Sequence, residues 1–252
     1  MLRHLAKSVI PAPLRVKLRR MRDRWRPLFY VGWSAECPCC GARCREFLPH
    51  GRPERDHALC ARCGAVERHR LCMLYLKNRT NLFSERLRLL HFAPETVFRK
   101  IFSALPNLEY VTTDFSPSAN VRMDITNLAF PDGSFDAILC MHVLEHIPDD
   151  RGAMRELLRV LRPGGWAILQ VPLDLSRERT YEDWSITDAQ ERFRHFGQED
   201  HVRWYGRDYK ERLEGAGFQV TVEDYVRSFP PELIHRYGFI RDESIYLCRK
   251  PG

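Results

Sequence analysis

The stretch that decides the fold lies between Phe130 and Pro172. It contains FPDGSFDAILCMHVLEHIPDD at 130–150 and ELLRVLRPGGWAILQVP at 156–172. In each segment a short apolar run, FDAILCM or GWAILQV, follows turn residues such as Pro-Asp-Gly or Pro-Gly-Gly, and a helical pattern separates the two runs. Because short apolar runs between turn signals are typical of buried strands, the stretch predicts a strand–helix–strand unit with parallel strands.

Apolar runs and helical patterns alternate in the same way along residues 86–252, which predicts a doubly wound α/β sheet. The predicted strands are 87–92, 108–113, 135–141, 165–171, 217–223 and 244–249, with a short strand near 120–123. The predicted helices are 95–104, 150–161 and 207–215. In such a sheet, ligands bind beyond the carboxyl ends of the parallel strands.

Acidic residues follow two of these strands. Asp114 comes directly after the second strand, about 20 residues beyond the turn that follows the first, where a carboxylate can accept hydrogen bonds from a ribose diol. Asp124 follows the short strand, a position from which a carboxylate can meet an adenine amino group. The two positions together predict a nucleoside-binding edge.

Residues 86–252 resemble the class I S-adenosylmethionine (SAM)-dependent methyltransferases, since the two quoted segments match the fourth-strand and fifth-strand motifs of that superfamily. The resemblance implies a Rossmann-like sheet, SAM as the cofactor and methyl transfer as the reaction. The whole chain further resembles bacterial methyltransferases with a similar N-terminal cysteine segment, which are often associated with surface-glycan or other envelope pathways.

The resemblance also implies which residues bind SAM. Asp114 would bind the ribose, Asp124 and Ile125 would bind the adenine, and the segment from His142 to His146 would border the methionine end. The other residues expected at the cofactor lie at the end of the first strand or follow the first two strands: His91, Ala93, Glu95 and Phe115.

The first motif departs from the superfamily pattern. A glycine-rich turn is usual there, whereas this chain has His91-Phe-Ala93-Pro-Glu95. Glycine lets the backbone approach a cofactor closely, and Ala93 is small enough to permit most of that approach. Glu95, at a helix start, could hold the methionine amino group. The departure keeps a non-catalytic domain open as an alternative.

Four cysteines form two C-x-x-C pairs, each followed by glycine: Cys37 with Cys40, and Cys60 with Cys63. This spacing is typical of paired zinc knuckles, and four thiolates leave no open position on the ion, so a structural Zn²⁺ is expected. An iron–sulfur centre and free thiols are the alternatives. Cys39 and Cys44 have no assigned role, and the three remaining cysteines lie in apolar surroundings, where cysteine packs as a small hydrophobe.

The N-terminal arm is strongly basic. Residues 1–30 contain nine Lys or Arg and one acid, whereas the rest of the chain has 31 basic and 32 acidic residues. From Pro13 to Arg26 apolar residues recur at helical spacing, which predicts a cationic amphipathic helix. Such a helix can lie on an anionic membrane surface, dock on its own domain or bind nucleic acid, and a transit peptide has a similar composition.

Catalytic candidates come from two segments. Residues 173–206 are too long for a plain connection and predict a lid or substrate loop rich in aromatic and charged groups. His201 is the expected general base, oriented by Asp200 or Glu145, because imidazole titrates near neutral pH. Glu145 and His146 are further candidates, with shaping of the cofactor pocket as their alternative role. Arg203 is expected to pair with an anionic acceptor or to form a surface salt bridge.

Three functions follow from these features. The first is O- or N-methylation of a small-molecule, glycan or lipid-linked acceptor. The second is RNA methylation, because some rRNA methyltransferases carry a zinc module, although the near-neutral body makes nucleic acid the less favoured partner. The third is a non-catalytic scaffold.

The expected organisation has three parts: a basic arm at 1–33, a zinc-knuckle module with a linking helix at 34–80, and a methyltransferase domain at 81–252. The chain lacks both an apolar run of the roughly 18 residues that a membrane span needs and an apolar secretory start. The sequence therefore predicts a cytoplasmic protein, with peripheral attachment to the inner face of the membrane, through residues 1–30, as a further expectation.

Overall fold

The computed structural model describes residues 26–114, 121 and 123–252. The chain folds into two compact units. The first contains residues 26–75 and the separate segment Val226–Glu243, and the second contains Leu76–Tyr225 and Ser244–Gly252. The amphipathic helix predicted at 13–26 lies outside the described residues except for Arg26, and so does Phe115.

The described residues form α-helices and β-strands with the following bounds. The helices are α1 (Glu67–Arg79), α2 (Thr96–Phe102), α3 (Asp150–Val160), α4 (Ala189–Phe196), α5 (Tyr209–Gly215) and α6 (Pro231–Tyr237). The strands are β1 (Val31–Glu36), β2 (Arg43–Cys44), β3 (Leu48–His50), β4 (Arg55–Leu59), β5 (Leu87–Phe92), β6 (Leu108–Thr113), β7 (Phe135–Met141), β8 (Leu161–Gln170), β9 (Tyr181–Glu182), β10 (Arg203–Trp204), β11 (Gln219–Glu223) and β12 (Ile245–Arg249).

A six-stranded sheet forms the centre of the second unit, in the order β6-β5-β7-β8-β12-β11. β6, β5, β7 and β8 are mutually parallel, whereas β12 runs antiparallel to both of its neighbours. β5 and β7 are almost entirely buried, in accord with their apolar sequences. This is the predicted Rossmann-like α/β fold, with a central, mostly parallel sheet.

Helix α3 shows how local sequence sets this packing. The Asp149 side chain accepts a hydrogen bond from the Gly152 amide and so caps the first turn. Apolar residues then recur at helical spacing and are fully buried: Ala153, Met154, Leu157 and Val160. The helix passes directly into β8 at Leu161, so the apolar face of the helix and the strand belong to one core.

Element bounds differ from the predicted ones mainly at segment ends. The strands predicted at 87–92, 108–113 and 135–141 have those bounds, whereas β8 begins at Leu161 instead of 165. Near 120–123, Val121 forms an isolated parallel bridge with Thr113. The segment 173–206, predicted as a loop, contains β9, α4 and β10, and β9 pairs with β10.

The first unit contains two short hairpins, β1–β2 and β3–β4, and helix α6 packs against β1. Arg70 on helix α1 is fully buried there. Its guanidinium donates hydrogen bonds to the carbonyls of Ala58, Ala65, Tyr237 and Gly238. Arg70 therefore ties the cysteine-bearing segment to the distant segment Val226–Glu243.

None of the helices in the described part of the chain combines the length and the apolar composition needed to cross a bilayer.

Candidate functional site

The carboxyl end of β5 carries the altered first motif. Ala93 adopts a left-handed backbone conformation, with φ of 43°, and its amide donates to the Thr113 carbonyl at 2.8 Å. This is the conformation that glycine adopts without strain. Ala93 therefore adopts the left-handed turn for which the superfamily pattern has glycine, at a steric cost of about 1 kcal/mol or more.

His91 and Glu95 lie on the two sides of that turn. The His91 ring is fully buried, with Nδ1 2.9 Å from the Tyr110 hydroxyl and Nε2 3.1 Å from Glu95 Oε2. Both ring nitrogens are thus occupied, so His91 orients Glu95. Glu95 precedes helix α2 and does not cap it, and its side chain is 17% exposed. Its carboxylate is therefore the member of this pair that can meet a ligand.

The acids expected at the nucleoside also lie at this edge of the sheet. Asp114 directly follows β6, which is parallel to β5. Asp124 Oδ1 accepts hydrogen bonds from the Thr126 amide at 2.9 Å and the Thr126 hydroxyl at 2.8 Å. The Ile125 side chain is buried in the hydrophobic core.

A short helical turn, Leu144–His146, follows β7. His142 precedes it in a second left-handed conformation, with φ of 55°, and its amide donates to the Gln170 carbonyl. A histidine with positive φ is uncommon, and backbone strain of this kind is concentrated at functional sites. Because β5 and β7 are parallel neighbours, the two strained turns, at Ala93 and His142, share the carboxyl edge of the sheet.

Glu145, His146 and His201 form a tight cluster at this turn, with one ligand-type atom from each lying within 4.8 Å of the others. Glu145 is 1% exposed, and neither of its carboxylate oxygens has a hydrogen-bond partner among the described residues. Its Oε1 lies 3.3 Å from His142 Nδ1 and 4.0 Å from His201 Nε2. The structure thus brings all three sequence-predicted catalytic candidates together.

The hydrogen bonds of His201 define its tautomer. Its Nδ1 lies 3.1 Å from the Phe196 carbonyl, which can only accept, so Nδ1 carries the proton and Nε2 carries a lone pair. Burial lowers the pKa of His201, which favours the neutral ring. His201 Nε2 therefore offers a base or a ligand atom toward Glu145.

Asp200 does not orient His201 as the sequence suggested. Its Oδ2 lies 3.2 Å from His146 Nδ1, and the His146 and His201 rings pack edge to face at 4.7 Å. The side-chain acid that faces His201 is Glu145.

Arg203 has neither of its predicted roles, because it is fully buried. Its guanidinium donates to the carbonyls of Leu144, Ile147 and Pro148 and pairs with Glu182 at 3.1 Å. These carbonyls belong to the turn that carries Glu145 and His146. Arg203 is thus a positioning residue, and local sequence patterns do not reveal this role because its carbonyl partners lie more than fifty positions earlier.

A second buried arginine supports the same turn. Arg212 pairs with both carboxylate oxygens of Asp150, at 3.0 and 3.1 Å, and with Glu182. The Tyr205 hydroxyl donates to Asp150 at 2.7 Å. Burial acts to lower the pKa of Arg212, and the two carboxylates outweigh it, so the pKa is raised and the guanidinium stays charged. The network anchors the start of α3 beside the cluster.

The first unit holds a different cluster, formed by Cys37, Cys40, Cys60 and Cys63, whose sulfurs lie within 4.8 Å of one another. Cys37 and Cys63 Sγ atoms are 3.6 Å apart, and those of Cys40 and Cys60 are 3.8 Å apart. A tetrahedron with metal–sulfur bonds of about 2.3 Å has sulfur–sulfur edges of about 3.8 Å. Two of the sulfur–sulfur distances thus match the separation that a zinc ion requires, and all four sulfurs lie within 4.8 Å of one another.

The two cysteine knuckles have the same backbone geometry. The amides of Gly41 and Gly64 donate to the carbonyls of Cys37 and Cys60, and both glycines have positive φ, 67° and 77°. A Cβ at either glycine would contact nothing within 4 Å, so conformation alone requires glycine there.

The remaining cysteines are not members of this cluster, although the Cys39 thiol interacts with that of Cys37. Cys39 directs its sulfur to the His69 carbonyl at 3.5 Å. Cys44 is buried, and burial raises the pKa of its thiol to about 11. Cys72, Cys140 and Cys248 are buried, and Cys140 and Cys248 belong to the hydrophobic core, as expected from their sequence surroundings.

Curated relatives match this chain only over short stretches. A ubiquinone biosynthesis O-methyltransferase from Xanthomonas oryzae is 54% identical over 33 residues, 13% of this chain and 14% of that one. A sterol 24-C-methyltransferase from Aspergillus fumigatus is 44% identical over 45 residues, 18% of this chain and 12% of that one. The chain spans no more than about a fifth of the length of the curated relatives that it matches first.

Similarity of fold extends much further. The [4+2]-cyclase SpnF superposes with a TM-score of 0.54 over 92% of this chain and 95% of that chain, at 18% identity. At that identity the likeness concerns the fold alone. The family model described as "Methyltransferase domain" matches residues 89–223, which is more than half of the chain and includes both strained turns and the Glu145–His146–His201 cluster. The chain therefore belongs to this methyltransferase domain family.

Proposed function

We propose that this protein is a SAM-dependent methyltransferase that methylates a hydroxyl group of a small-molecule, glycan or lipid-linked acceptor. The observation that carries the proposal is the presence of two proton acceptors, Glu145 Oε1 and the His201 Nε2 lone pair, 4.0 Å apart at the carboxyl edge of the sheet. When bound, SAM supplies a sulfonium methyl group that a nucleophile can displace. A hydroxyl acceptor must also lose its proton, and this pair can receive it.

The residues at the carboxyl edge fit SAM. Glu95 offers a carboxylate for the methionine ammonium group, and Asp114 offers one for the ribose hydroxyls. Ala93 supplies the left-handed turn with a single methyl group, so the backbone can still come close to the cofactor. His142 and the turn after it would border the methionine end, and Asp124, Ile125 and Phe115 are proposed for the adenine.

The names of the relatives do not decide the acceptor atom, because one of them names an oxygen methyltransferase and another a carbon methyltransferase. A hydroxyl acceptor is favoured here because it needs a base to remove its proton near neutral pH, and this site contains one. A buried carboxylate beside a neutral imidazole supplies the base that this step needs.

RNA methylation is the second candidate, supported by the four-cysteine module that precedes the catalytic domain. A large RNA footprint calls for a broad basic face, and outside residues 1–30 the basic and acidic residues nearly balance. The third expectation, a non-catalytic scaffold, finds no support in the comparisons, because the matching family model and the named curated relatives are methyltransferases.

The four-cysteine cluster is proposed to hold one structural zinc ion. The sulfur–sulfur distances support it, and so does the absence of a fifth sulfur or a histidine from the cluster in the described part of the chain. Four thiolates fill the coordination shell, so the ion would stabilise the first unit and leave no position for a substrate.

An anionic membrane surface is proposed as a partner of residues 1–30. Large apolar side chains are exposed at the end of this segment and directly after it: Leu28, Phe29, Val31 and Trp33. Arg43 lies over the Trp33 ring at 5.2 Å, so charge accompanies the apolar surface. Exposed aromatic residues with neighbouring cations are typical of peripheral membrane contact.

The strain at Ala93 predicts how the first motif responds to substitution. Ala93→Gly removes the steric cost and should keep or tighten binding of S-adenosylhomocysteine, whereas Ala93→Val should weaken it at least about tenfold, since a β-branched residue rarely adopts positive φ. Calorimetric titration measures both. Ala104, which is exposed and lacks positive φ, gives the matched Gly and Val controls. Equal affinities for all four variants would contradict a cofactor turn at Ala93.

The function itself is tested with radiolabelled SAM and fractionated cell extract. Label should enter a small-molecule, glycan or lipid fraction. Mass analysis of the labelled product should show a gain of about 14 Da per methyl group, because CH₃ replaces H. His201→Ala should reduce this incorporation by about 10²–10⁴-fold. Label in RNA would establish the second candidate instead. If the purified, zinc-loaded protein fails to bind S-adenosylhomocysteine at millimolar concentration, the result would contradict methyl transfer and favour a non-catalytic scaffold.

The zinc site predicts a difference between neighbouring cysteines. Cys60→Ser should lose the one bound zinc per chain and lower the thermal midpoint by at least about 4 °C, because the metal contributes directly to folding. Cys39→Ser should keep both properties, since Cys39 is not one of the four clustered cysteines and its sulfur also contacts the His69 carbonyl. Elemental analysis and thermal unfolding give the readouts. Zinc retained by Cys60→Ser, or absent from the unchanged protein, would refute the assignment.

Membrane attachment predicts that the exposed aromatics contribute to vesicle binding. Phe29→Ser with Trp33→Ser should reduce sedimentation with phosphatidylglycerol vesicles by about tenfold or more, because each ring would bury apolar surface in the interface. Phe193→Ser, an exposed aromatic of the second unit, serves as the control. Unchanged binding in the double variant would exclude these residues as the contact.

A further inference from the structure

We propose that Glu145, His146 and His201 bind one divalent transition-metal cation, separate from the four-cysteine site. The three residues form the second group in the described residues whose ligand atoms converge closely enough to hold an ion. All three belong to the second unit, whereas the cysteines belong to the first. Cation binding can be tested by itself, whereas the role of the cation in activating the acceptor rests on the proposed methyl transfer.

The first supporting observation is the state of Glu145. A carboxylate that is 1% exposed and has no hydrogen bond to either oxygen is costly to keep in a folded protein, because buried charge needs a compensating group. The buried arginines do not provide it, since Arg203 and Arg212 pair with Glu182 and Asp150. The nearest imidazole nitrogen, His142 Nδ1, lies 3.3 Å from Glu145 Oε1 but makes no hydrogen bond to it. A cation beside Glu145 would supply the missing compensation.

The second observation is the direction of the His201 lone pair. The hydrogen bond from Nδ1 to the Phe196 carbonyl leaves Nε2 without a proton, and Nε2 has no partner in the described part of the chain. A lone pair 4.0 Å from a carboxylate oxygen places two electron-rich atoms face to face. An ion between them would convert this repulsion into two coordinate bonds.

The third observation is the set of groups behind the ligands. Histidines that bind metals usually donate their second ring N–H to a carbonyl or a carboxylate. His201 has the Phe196 carbonyl, and His146 has Asp200 at 3.2 Å from its Nδ1. Both histidines of the cluster therefore already have the outer partner that a metal ligand needs.

The ligand types indicate the class of ion. Two imidazoles and one carboxylate suit manganese, iron, cobalt or zinc, whereas magnesium and calcium prefer all-oxygen sites. Three protein ligands also leave positions open, in contrast to the cysteine cluster. Those positions would accept oxygen atoms of the acceptor, so an acceptor with two neighbouring hydroxyl groups fits best.

A cation here changes the role of His201. A ligated Nε2 can no longer accept the proton of the acceptor, and the hydroxyl would instead become acidic by coordination and release its proton to water. The oxygen would then form a bond to the methyl carbon while the carbon–sulfur bond breaks and its electron pair stays on sulfur. His201 is thus either a base or a metal ligand, and metal binding distinguishes the two.

The test measures Mn²⁺ binding to the full-length, zinc-loaded protein by electron paramagnetic resonance of the free ion. Mn²⁺ is used because thiolates bind it poorly, so the cysteine site does not compete. The expected result is one Mn²⁺ per chain. Glu145→Gln and His201→Ala should weaken binding at least about 100-fold, and Asp200→Ala about 10- to 100-fold through loss of the outer partner.

Two variants keep the test independent of folding defects. Asp200 has a side chain that is 71% exposed, so its replacement leaves the core intact. His195→Ala is the matched control, because this half-exposed histidine lies 4.0 Å from Glu191 and outside the cluster. It should bind Mn²⁺ with unchanged affinity. In addition, metal-free Glu145→Gln should melt at a higher temperature than the unchanged protein, since an uncompensated buried charge has been removed.

The possible results distinguish failure of the cation proposal from failure of the proposed function. Failure to bind Mn²⁺, Co²⁺ or a second Zn²⁺ overturns the cation proposal, and so does binding that survives both Glu145→Gln and His201→Ala. S-adenosylhomocysteine binding is measured on the same samples. Retained cofactor binding without a metal leaves the proposed methyl transfer with His201 as its base, whereas loss of cofactor binding in the unchanged protein contradicts the proposed function itself.

Discussion

The geometry of the candidate site depends on the hydrogen bonds that Arg203 makes to the turn after β7. A guanidinium with no exposed surface can keep its charge only if fixed acceptors surround it, and here the acceptors are the carbonyls of Leu144, Ile147 and Pro148 together with Glu182. These same carbonyls belong to the backbone that presents Glu145 and His146. The buried Arg203 cation thereby fixes the backbone that carries the buried Glu145 side chain.

The sheet supplies the second constraint. Parallel pairing of β5 with β6 and β7 brings three carboxyl ends to one edge, and two of the following turns hold non-glycine residues in left-handed conformations. Such strain persists only where surrounding structure outweighs it. At Ala93 the tight first-motif turn is kept without glycine, and at His142 the backbone reverses so that the turn Leu144–His146 can form directly beyond the strand.

The first unit is organised by different means. Its strands are short, and two groups of contacts hold its segments together: the four converging cysteines and the buried Arg70, whose hydrogen bonds join residues 58 and 65 to residues 237 and 238. Small units with little sheet structure commonly need such cross-links, because their apolar cores are small.

The sequence by itself determined the strand–helix order of the second unit, the pairing of the two cysteine knuckles and the acids after β6 and the short strand, because these follow from local periodicity and from spacings of a few residues. The sequence also identified Glu145, His146 and His201 as candidate catalytic residues. Only the tertiary structure decided that these three meet, that Asp200 pairs with His146, and that Arg203 is buried beneath the turn. Nor did local pattern place Val226–Glu243 in the same unit as the cysteines. The physical reason is that hydrogen bonds and ion pairs between segments more than fifty positions apart depend on how the elements pack, and packing leaves no periodic trace in the sequence.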